Sequence, residues 1–383
     1  MKTLVVLGSS GSIGESTLRV VDALPGRFRV AGLTVHRNYR RALVQAKQYG
    51  ATHVAVADAD AARQCAAEAP PGVQVHAGAR GVEEVAALPG TDLVVCALVG
   101  IAGLGPVLAA AERGLPIALA TKEVLVAAGR IVTDACRRHG ARLIPVDSEH
   151  SAIFQYLNAC GATGDHGEVR RLILTASGGP FAAKRDIDFD HVTSAEALRH
   201  PRWNMGQKVT VDSATLMNKG FEIMEAHWLF GLPTDRIDVV IHPESIVHSL
   251  VEFVDGSVLA QMCPPDMRFA IQYALTYPQR VDGGLPRLDL AAIGRLHFTP
   301  PDESRFPCLK LTRAADGAGG TMPAVLNGAN EMAVAGFLRG EIAFSGIWRT
   351  VERVMAKHTL TRDPSLEDIV AADAWARRTA GEA

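Results

Sequence analysis

Two acidic clusters hold the residue types best suited to chemistry. Asp147-Ser148-Glu149-His150 follows directly on the candidate strand 141–146. If the segment stays extended, Asp147 and Glu149 point the same way, and paired carboxylates suit a hard divalent cation such as Mg²⁺ or Mn²⁺. The same residues also suit a helix start stabilised by acidic side chains. The stretch from Val211 to Glu222, VDSATLMNKGFE, reads as a capping residue followed by helical periodicity. Asn218, Lys219 and Glu222 fall at i, i+1 and i+4 and share one side of a turn. A lysine beside serine and asparagine donors is a phosphate-binding set, and Glu222 adds a third oxygen ligand. An amphipathic helix with a solvated Lys-Glu pair would carry the same letters.

Two further stretches are more polar than a core needs. Thr175-Ala176-Ser177-Gly178-Gly179-Pro180-Phe181 ends a strand-like run with hydroxyl and backbone donors suited to an anion. His200-Pro201-Arg202-Trp203-Asn204-Met205-Gly206 places a histidine and a large aromatic in a loop bounded by proline and glycine. That composition suits a lid closing over substrate, or equally a contact with another subunit.

These clusters need elements to position them. Gly8-Ser9-Ser10-Gly11-Ser12-Ile13-Gly14 follows the apolar run 3–7 and opens a helix through Leu24. Strand, glycine loop and helix in that order place unpaired helical N–H groups against a pyrophosphate. An NAD enzyme would carry Asp or Glu at the end of the second strand, about 20 residues on. Here Thr34-Val35-His36-Arg37-Asn38 offers no carboxylate, and Arg37 can pair with a 2′-phosphate. The unit is therefore expected to prefer NADP.

The runs TLVVLG, FRVAGLTV, HVAVAD, DLVVCALVG, PIALAT and RLIPV alternate with helical stretches. This predicts an α/β fold whose N-terminal domain, 1–146, is a Rossmann-like doubly wound parallel sheet. Residues 147–276, with one capped helix and a hairpin turning at Asp255-Gly256, predict an α+β catalytic domain holding the metal and substrate site. The proline- and glycine-rich stretch 277–302 reads as a linker, and 303–383 as a small helical domain.

Composition excludes several function classes. Lys plus Arg number 39 against 41 Asp plus Glu, a net charge of −2, so no basic field recommends nucleic acid or an anionic membrane. The uncharged run 93–111 is long enough to span a bilayer, but Gly100, Gly103, Gly105 and Pro106 break it into strand, turn and helix. Cysteines 65, 96, 136, 160, 263 and 308 form no C-x-x-C pair and suit a reducing cytoplasm. The first strand begins within three residues of Met1, so no signal or transit peptide is expected ahead of it.

With these residues assembled, the chain resembles the 1-deoxy-D-xylulose 5-phosphate reductoisomerase family. The resemblance runs in order through GSSGSIG, TKE, PVDSEHSAIFQ, TASGGPF, HPRWNMG, VDSATLMNKGFE, HPESIVHS, CLKL and LNGANE. It implies a homodimeric enzyme using NADPH and one divalent cation (Mn²⁺, Mg²⁺ or Co²⁺). It implies Asp147, Glu149 and Glu222 as metal ligands, and Ser177, Ser213, Asn218 and Lys219 around the substrate phosphate with His200 beside them. Lys122 and Ser148 match residues that hold the substrate oxygens, and Trp203 and Met205 match the lid. Ser10, Gly11, Ser12, Ile13, His36, Arg37, Asn38, Glu123 and Gly206 match the cofactor site.

Three positions depart from the family pattern. Thr121-Lys122-Glu123 stands where the family usually has Asn-Lys-Glu, so Thr121 replaces an amide contact to the cofactor. His36 stands where a small residue is common, and His150 matches no family ligand. The implied reaction converts the sugar phosphate 1-deoxy-D-xylulose 5-phosphate, by retro-aldol cleavage and aldol recombination under Lewis-acid control, to a branched aldehyde. NADPH then reduces the aldehyde to 2-C-methyl-D-erythritol 4-phosphate. A plain NADP-dependent dehydrogenase would need neither three acidic ligands nor a phosphate clamp. A catalytically silent NADP sensor would leave both clusters idle.

Overall fold

A computed structural model describes residues 1–159, 167–184, 186–203 and 205–382. Cys160 and the loop residue Asn204 lie outside the described residues. The elements begin β1 (Lys2–Leu7), α1 (Ser12–Ala23), β2 (Phe28–Val35), α2 (Tyr39–Tyr49), β3 (His53–Val56), α3 (Ala59–Glu68), β4 (Gln74–Ala77) and α4 (Gly78–Ala86). They continue with β5 (Leu93–Cys96), α5 (Leu104–Glu112), β6 (Ile117–Leu119), α6 (Glu123–His139), β7 (Leu143–Pro145) and α7 (Ser148–Ala159). Next come β8 (Val169–Ala176), α8 (Ser194–Ala197), α9 (Gln207–Thr215), α10 (Met217–Phe230), β9 (Ile237–Ile241), β10 (Val247–Phe253) and β11 (Val258–Met262). The chain closes with α11 (Arg268–Thr276), α12 (Leu290–Ile293), α13 (Cys308–Ala318), α14 (Met322–Leu338), α15 (Gly346–Lys357) and α16 (Leu366–Gly381).

The first compact unit comprises Met1–Val124, Arg130–Ser151 and Asp266–Pro286. Its seven parallel strands run in the order β4-β3-β2-β1-β5-β6-β7. Leu4 to Leu7 and Val94 to Cys96 are fully buried, as expected of central strands covered by helices on both faces. The order reverses between β1 and β5, which opens a crevice at their carboxyl ends. All six strands read from the sequence form. β4 is the addition: Gln74–Ala77 is a half-exposed edge strand and so lacks the continuous apolar run that marks its neighbours. The uncharged run 93–111 divides into β5, a turn and α5, and among the described residues no helix is long and apolar enough to cross a membrane.

The second unit comprises Leu125–Gly129, Ala152–Pro265 and Arg287–Ala383. Its four-stranded sheet has the order β11-β10-β8-β9, with β10 antiparallel to β8 and β11 and with β8 parallel to β9. The expected hairpin forms across Asp255-Gly256, where Gly256 has φ +85°.

Compactness divides the chain differently from the boundaries read from the sequence. Phe306, Leu309, Phe337, Phe344 and Ile347 share one hydrophobic core with Leu172, Phe181 and Ile223 of the second sheet and its helices. The C-terminal helices therefore pack in the same unit as residues 152–265, while α11 and Tyr277 to Pro286 belong to the first unit. There Lys2 Nζ donates to the carbonyls of Leu275 (3.2 Å) and Tyr277 (3.0 Å), satisfying the end of α11.

Candidate active site

The first unit gathers its polar residues at the carboxyl ends of its strands. β1 ends at Leu7 and the chain turns at Gly8, with φ +82°. The Gly8 and Ser9 N–H groups donate to the Thr34 carbonyl at 3.0 and 2.9 Å, tying the loop to β2. A Cβ on Gly8 would stand 2.4 Å from the Ala97 carbonyl oxygen, and one on Gly14 would stand 2.3 Å from the Gly8 oxygen. Only glycine lets the loop thread between β1 and β5 and lets α1 start against it. Gly11 caps α1 without a side-chain acceptor, so the first helical N–H groups beside Ser10, Ser12 and Ile13 remain for an anion.

His36, Arg37 and Asn38 follow β2 and are exposed. The β2 end itself carries no carboxylate, but the fold brings one from β3: Arg37 Nε donates to Asp58 at 2.9 Å. The Asp58 carboxyl is held below its ordinary range by the Ala61 N–H and by Arg37. Arg37 keeps a side-chain exposure of 73% in this pair, so most of its guanidinium faces solvent.

Thr121 is buried, and its hydroxyl donates to the Leu98 carbonyl at 2.5 Å across the β5–β6 ends. Lys122 caps α6 and forms an ion pair with Asp147, while buried Glu123 begins the helix. Of the two courses the sequence left open through Glu149, the helix start forms. The Asp147 carbonyl accepts the Ser151 N–H at 2.8 Å, α7 starts at Ser148, and Glu149 lies in its first turn. The Asp147 and Glu149 carboxylates still have oxygens within 4.8 Å of each other, a spacing that one divalent ion can bridge. Ser148 Oγ donates to Glu149 Oε2 at 2.5 Å. Buried His150 has Nδ1 4.0 Å from Asp147 Oδ2, beyond hydrogen-bond reach.

The second unit assembles a polar cluster of its own. Gly179, with φ +64°, packs so tightly on α9 that a Cβ there would lie 2.9 Å from the Ser213 carbonyl oxygen. This brings the Ser177 loop to the end of α9. His200 Nδ1 accepts the backbone N–H groups of Arg202 (3.2 Å) and Trp203 (2.8 Å), so its proton sits on Nε2 and is donated to Ser177 Oγ at 2.9 Å. The Gly179 N–H donates to the same oxygen at 3.2 Å, which leaves the Ser177 hydroxyl proton to be donated outward. Burial pushes the His200 imidazole down to about 4, so the ring is neutral near pH 7.

The 211–222 stretch is two helices, where the sequence suggested one capped helix. Asp212 and Ser213 lie inside α9, and buried Leu216 takes a left-handed φ of +61° before α10 starts. That conformation costs a β-carbon-bearing residue roughly 1–3 kcal/mol and is held by the surrounding core. The break puts Asn218 and Lys219 in the first turn of α10, where N–H groups and the helix dipole favour an anion. Asn218 Nδ2 donates to Glu222 Oε1 at 2.5 Å, and Lys219 pairs with Glu222 in a buried ion pair. Glu225, one turn further on, is also fully buried.

In the loop expected to act as a lid, Trp203 and Met205 are half-buried and Gly206 is the exposed cap of α9. Trp203 meets His248 edge-on at 6.3 Å between ring centroids, and Arg202 Nε donates to the Pro243 carbonyl at 3.1 Å. Sequence reasoning missed Asn330, whose amide donates to Asp212 at 2.8 Å from α14. It also missed Lys208, paired with Asp212 at 2.9 Å. The i, i+4 spacing of Lys208 and Asp212 was the one local signal for either.

A doubly wound sheet with a glycine loop at its switch point, and acidic and anion-binding clusters besides, defines a dinucleotide-dependent α/β enzyme. Residues 4–129 match the family model for 1-deoxy-D-xylulose 5-phosphate reductoisomerase, 143–230 its C-terminal domain model, and 262–379 the model of the DXP reductoisomerase C-terminal domain. The chain belongs to the 1-deoxy-D-xylulose 5-phosphate reductoisomerase family. It is 52% identical over 388 residues to the enzyme of that name from Symbiobacterium thermophilum, covering 100% of this chain and 98% of the relative. It is 52% identical to the one from Pelotomaculum thermopropionicum, covering 98% and 97%. Among solved structures, a DOX-P reductoisomerase in complex with NADPH, fosmidomycin and magnesium superposes with a TM-score of 0.95 at 40% identity, covering 100% and 98%. The Zymomonas mobilis enzyme in complex with NADPH gives 0.91 at 41%, with the same coverage.

Proposed function

We propose that this protein rearranges and reduces 1-deoxy-D-xylulose 5-phosphate to 2-C-methyl-D-erythritol 4-phosphate, using NADPH and one divalent cation. Full-length similarity to reductoisomerases supports the reaction. The observation that carries the chemistry is the Asp147–Glu149 carboxylate pair beside Lys122 at the end of β7. Similar enzymes were crystallised with NADPH and magnesium, and the residues here fit both groups. Gly8 and Gly14 sit where a Cβ would meet backbone at 2.4 and 2.3 Å, and the tight loop they form with Gly11, with Ser10, Ser12 and Ile13 at the helix start, suits a pyrophosphate. Arg37 takes the 2′-phosphate, His36 and Asn38 border the adenine side, and Thr121, Glu123 and Gly206 contact the cofactor. Asp147, Glu149 and Glu222 supply the oxygen ligands preferred by Mg²⁺, Mn²⁺ or Co²⁺.

When bound, the cation supplies Lewis-acid polarisation and NADPH supplies hydride. The protein supplies the rest. Ser177, Ser213, Asn218 and Lys219 hold the phosphate, with the Ser177 proton turned outward because neutral His200 and the Gly179 N–H already donate to its oxygen. Lys219, here paired with Glu222, would pair with the phosphate where Glu222 held the cation, which would keep both charges compensated. Lys122 and Ser148 hold the substrate oxygens, and Trp203 and Met205 serve as the lid. Binding energy from the phosphate, remote from the reacting carbons, is available for that closure.

The enzyme acts as a cytoplasmic homodimer in this reading. The five described cysteines are buried and form no disulfide with one another, which suits a reducing compartment. Exposed Val254, Val258 and Leu259 along the β10–β11 hairpin supply an apolar edge for a second copy; light scattering at twice the chain mass tests it. The activity is tested by following NADPH absorbance with 1-deoxy-D-xylulose 5-phosphate after chelation, with and without Mn²⁺. Oxidation that requires both substrate and metal supports the reading. Metal-independent oxidation would make the protein a plain dehydrogenase, and no oxidation a sensor.

A further inference from the structure

The outer edge of the nucleotide-binding sheet carries a histidine pair that the reaction does not use. His53 opens β3 and His76 lies in β4, and the register pairs His53 with Gln74 and Ala55 with His76. The two histidines are therefore diagonal neighbours on one face of the sheet. His53 Nδ1 and His76 Nε2 stand 3.2 Å apart, with ring centroids at 5.4 Å and planes tilted by 37°. The second nitrogen of His76, Nδ1, is 3.1 Å from Glu84 Oε2, and Arg80 Nε donates to the other oxygen of that carboxylate at 3.2 Å. Gly81 lets α4 lie directly over His76, where a Cβ would come within 2.8 Å of the His76 carbonyl carbon.

We propose that His53 and His76 bind a divalent transition-metal ion of the zinc class, with Glu84 orienting the His76 ring, so that the ion clips edge strand β4 to β3. Two imidazole nitrogens each about 2.0–2.1 Å from a tetrahedral zinc stand about 3.3–3.4 Å apart, close to the separation seen here. Carboxylate, histidine and metal in that order is the arrangement that fixes the ring tautomer and raises ligand basicity. Burial and the neighbouring ring hold His53 below its ordinary pKa, which favours the neutral imidazole that ligates metals. Imidazole selects zinc, nickel or copper over Mg²⁺, so this site does not compete for the hard cation of the carboxylate cluster. Both histidines lie on β3 and β4, away from the β1–β5 crevice, so occupancy stabilises the sheet edge without entering the reaction. Water completes the coordination.

The test uses full-length protein saturated with NADPH and Mg²⁺, titrated with Zn²⁺ and then desalted for metal analysis. Wild-type protein retains one more zinc equivalent than His53→Gln or His76→Gln, and Zn²⁺ raises its Tm but not theirs. Glu84→Gln weakens zinc binding about ten- to hundredfold, while Glu222→Gln retains the site. As a measurement free of any variant's folding, one equivalent of Cu²⁺ added to the Mg²⁺-saturated wild-type protein gives an electron paramagnetic resonance spectrum split by two imidazole nitrogens. Equal zinc content and equal Tm shift in wild type, His53→Gln and His76→Gln would overturn the proposal, as would a copper spectrum with oxygen ligands alone.

Discussion

Replacing Glu222 with glutamine separates the proposed metal role from a merely structural one. Glu222 and Lys219 form an ion pair with side-chain exposures of 2% and 4%, and Asn218 donates to the same carboxylate at 2.5 Å. Glutamine keeps the volume and an oxygen for Asn218, so the change is confined to the charge. Removing one partner of a buried pair costs about 3–5 kcal/mol because the other charge is left uncompensated. The same charge is one of three carboxylates proposed to hold the cation. A loss of about 4 kcal/mol in transition-state stabilisation is roughly a thousandfold in rate. Glu222→Gln is therefore expected to lower kcat/KM by about a thousandfold or more and to shift the denaturation midpoint downward. Its NADPH affinity stays close to that of wild type, because none of the residues proposed to bind the cofactor is altered. The assay pairs NADPH oxidation at saturating Mn²⁺ with NADPH binding followed by fluorescence. A variant that binds NADPH normally and turns over at near wild-type rate would remove Glu222 from the metal site.

Three other perturbations test other parts of the site. Arg37→Gln deletes a charge-assisted bond to the 2′-phosphate worth about 1.5–3 kcal/mol, so the Kd for NADPH rises roughly ten- to hundredfold while that for NADH is unchanged; equal shifts for both would take Arg37 out of phosphate recognition. Gly14→Ala drives a methyl group to 2.3 Å from the Gly8 carbonyl oxygen, and titration should show NADPH binding weakened more than tenfold; unaltered affinity would contradict the threading of the loop. His200 is neutral when folded, with a pKa of about 4, whereas the unfolded chain protonates it near 6.5. The stability this group confers is full above pH 6.5 and is lost as pH falls toward about 4, by up to about 3 kcal/mol. Urea unfolding should show the advantage of wild type over His200→Asn shrinking across that window, and a constant difference would contradict the assignment.

The sequence by itself determined whatever depends on local spacing. Three glycines between an apolar strand and a helix announced the nucleotide loop, and continuous apolar runs announced six of the seven strands of the first sheet, because burial on both faces removes alternation. Asp147, Glu149, Ser177, Asn218, Lys219 and Glu222 were legible as polar residues in excess of what a core needs. What escaped depends on contacts far apart along the chain. β4 is an edge strand with little apolar surface of its own. Asp58 reaches Arg37 only because parallel pairing brings the ends of β2 and β3 side by side. Leu216 breaks 211–222 into two helices against its own backbone preference, a strain that local propensity opposes and only core packing can hold. The C-terminal helices look like a separate domain in the sequence because their apolar stripes do not name a partner. The tertiary structure decides that the partner is the second sheet, since burial is non-directional and is settled by which surfaces the fold brings together.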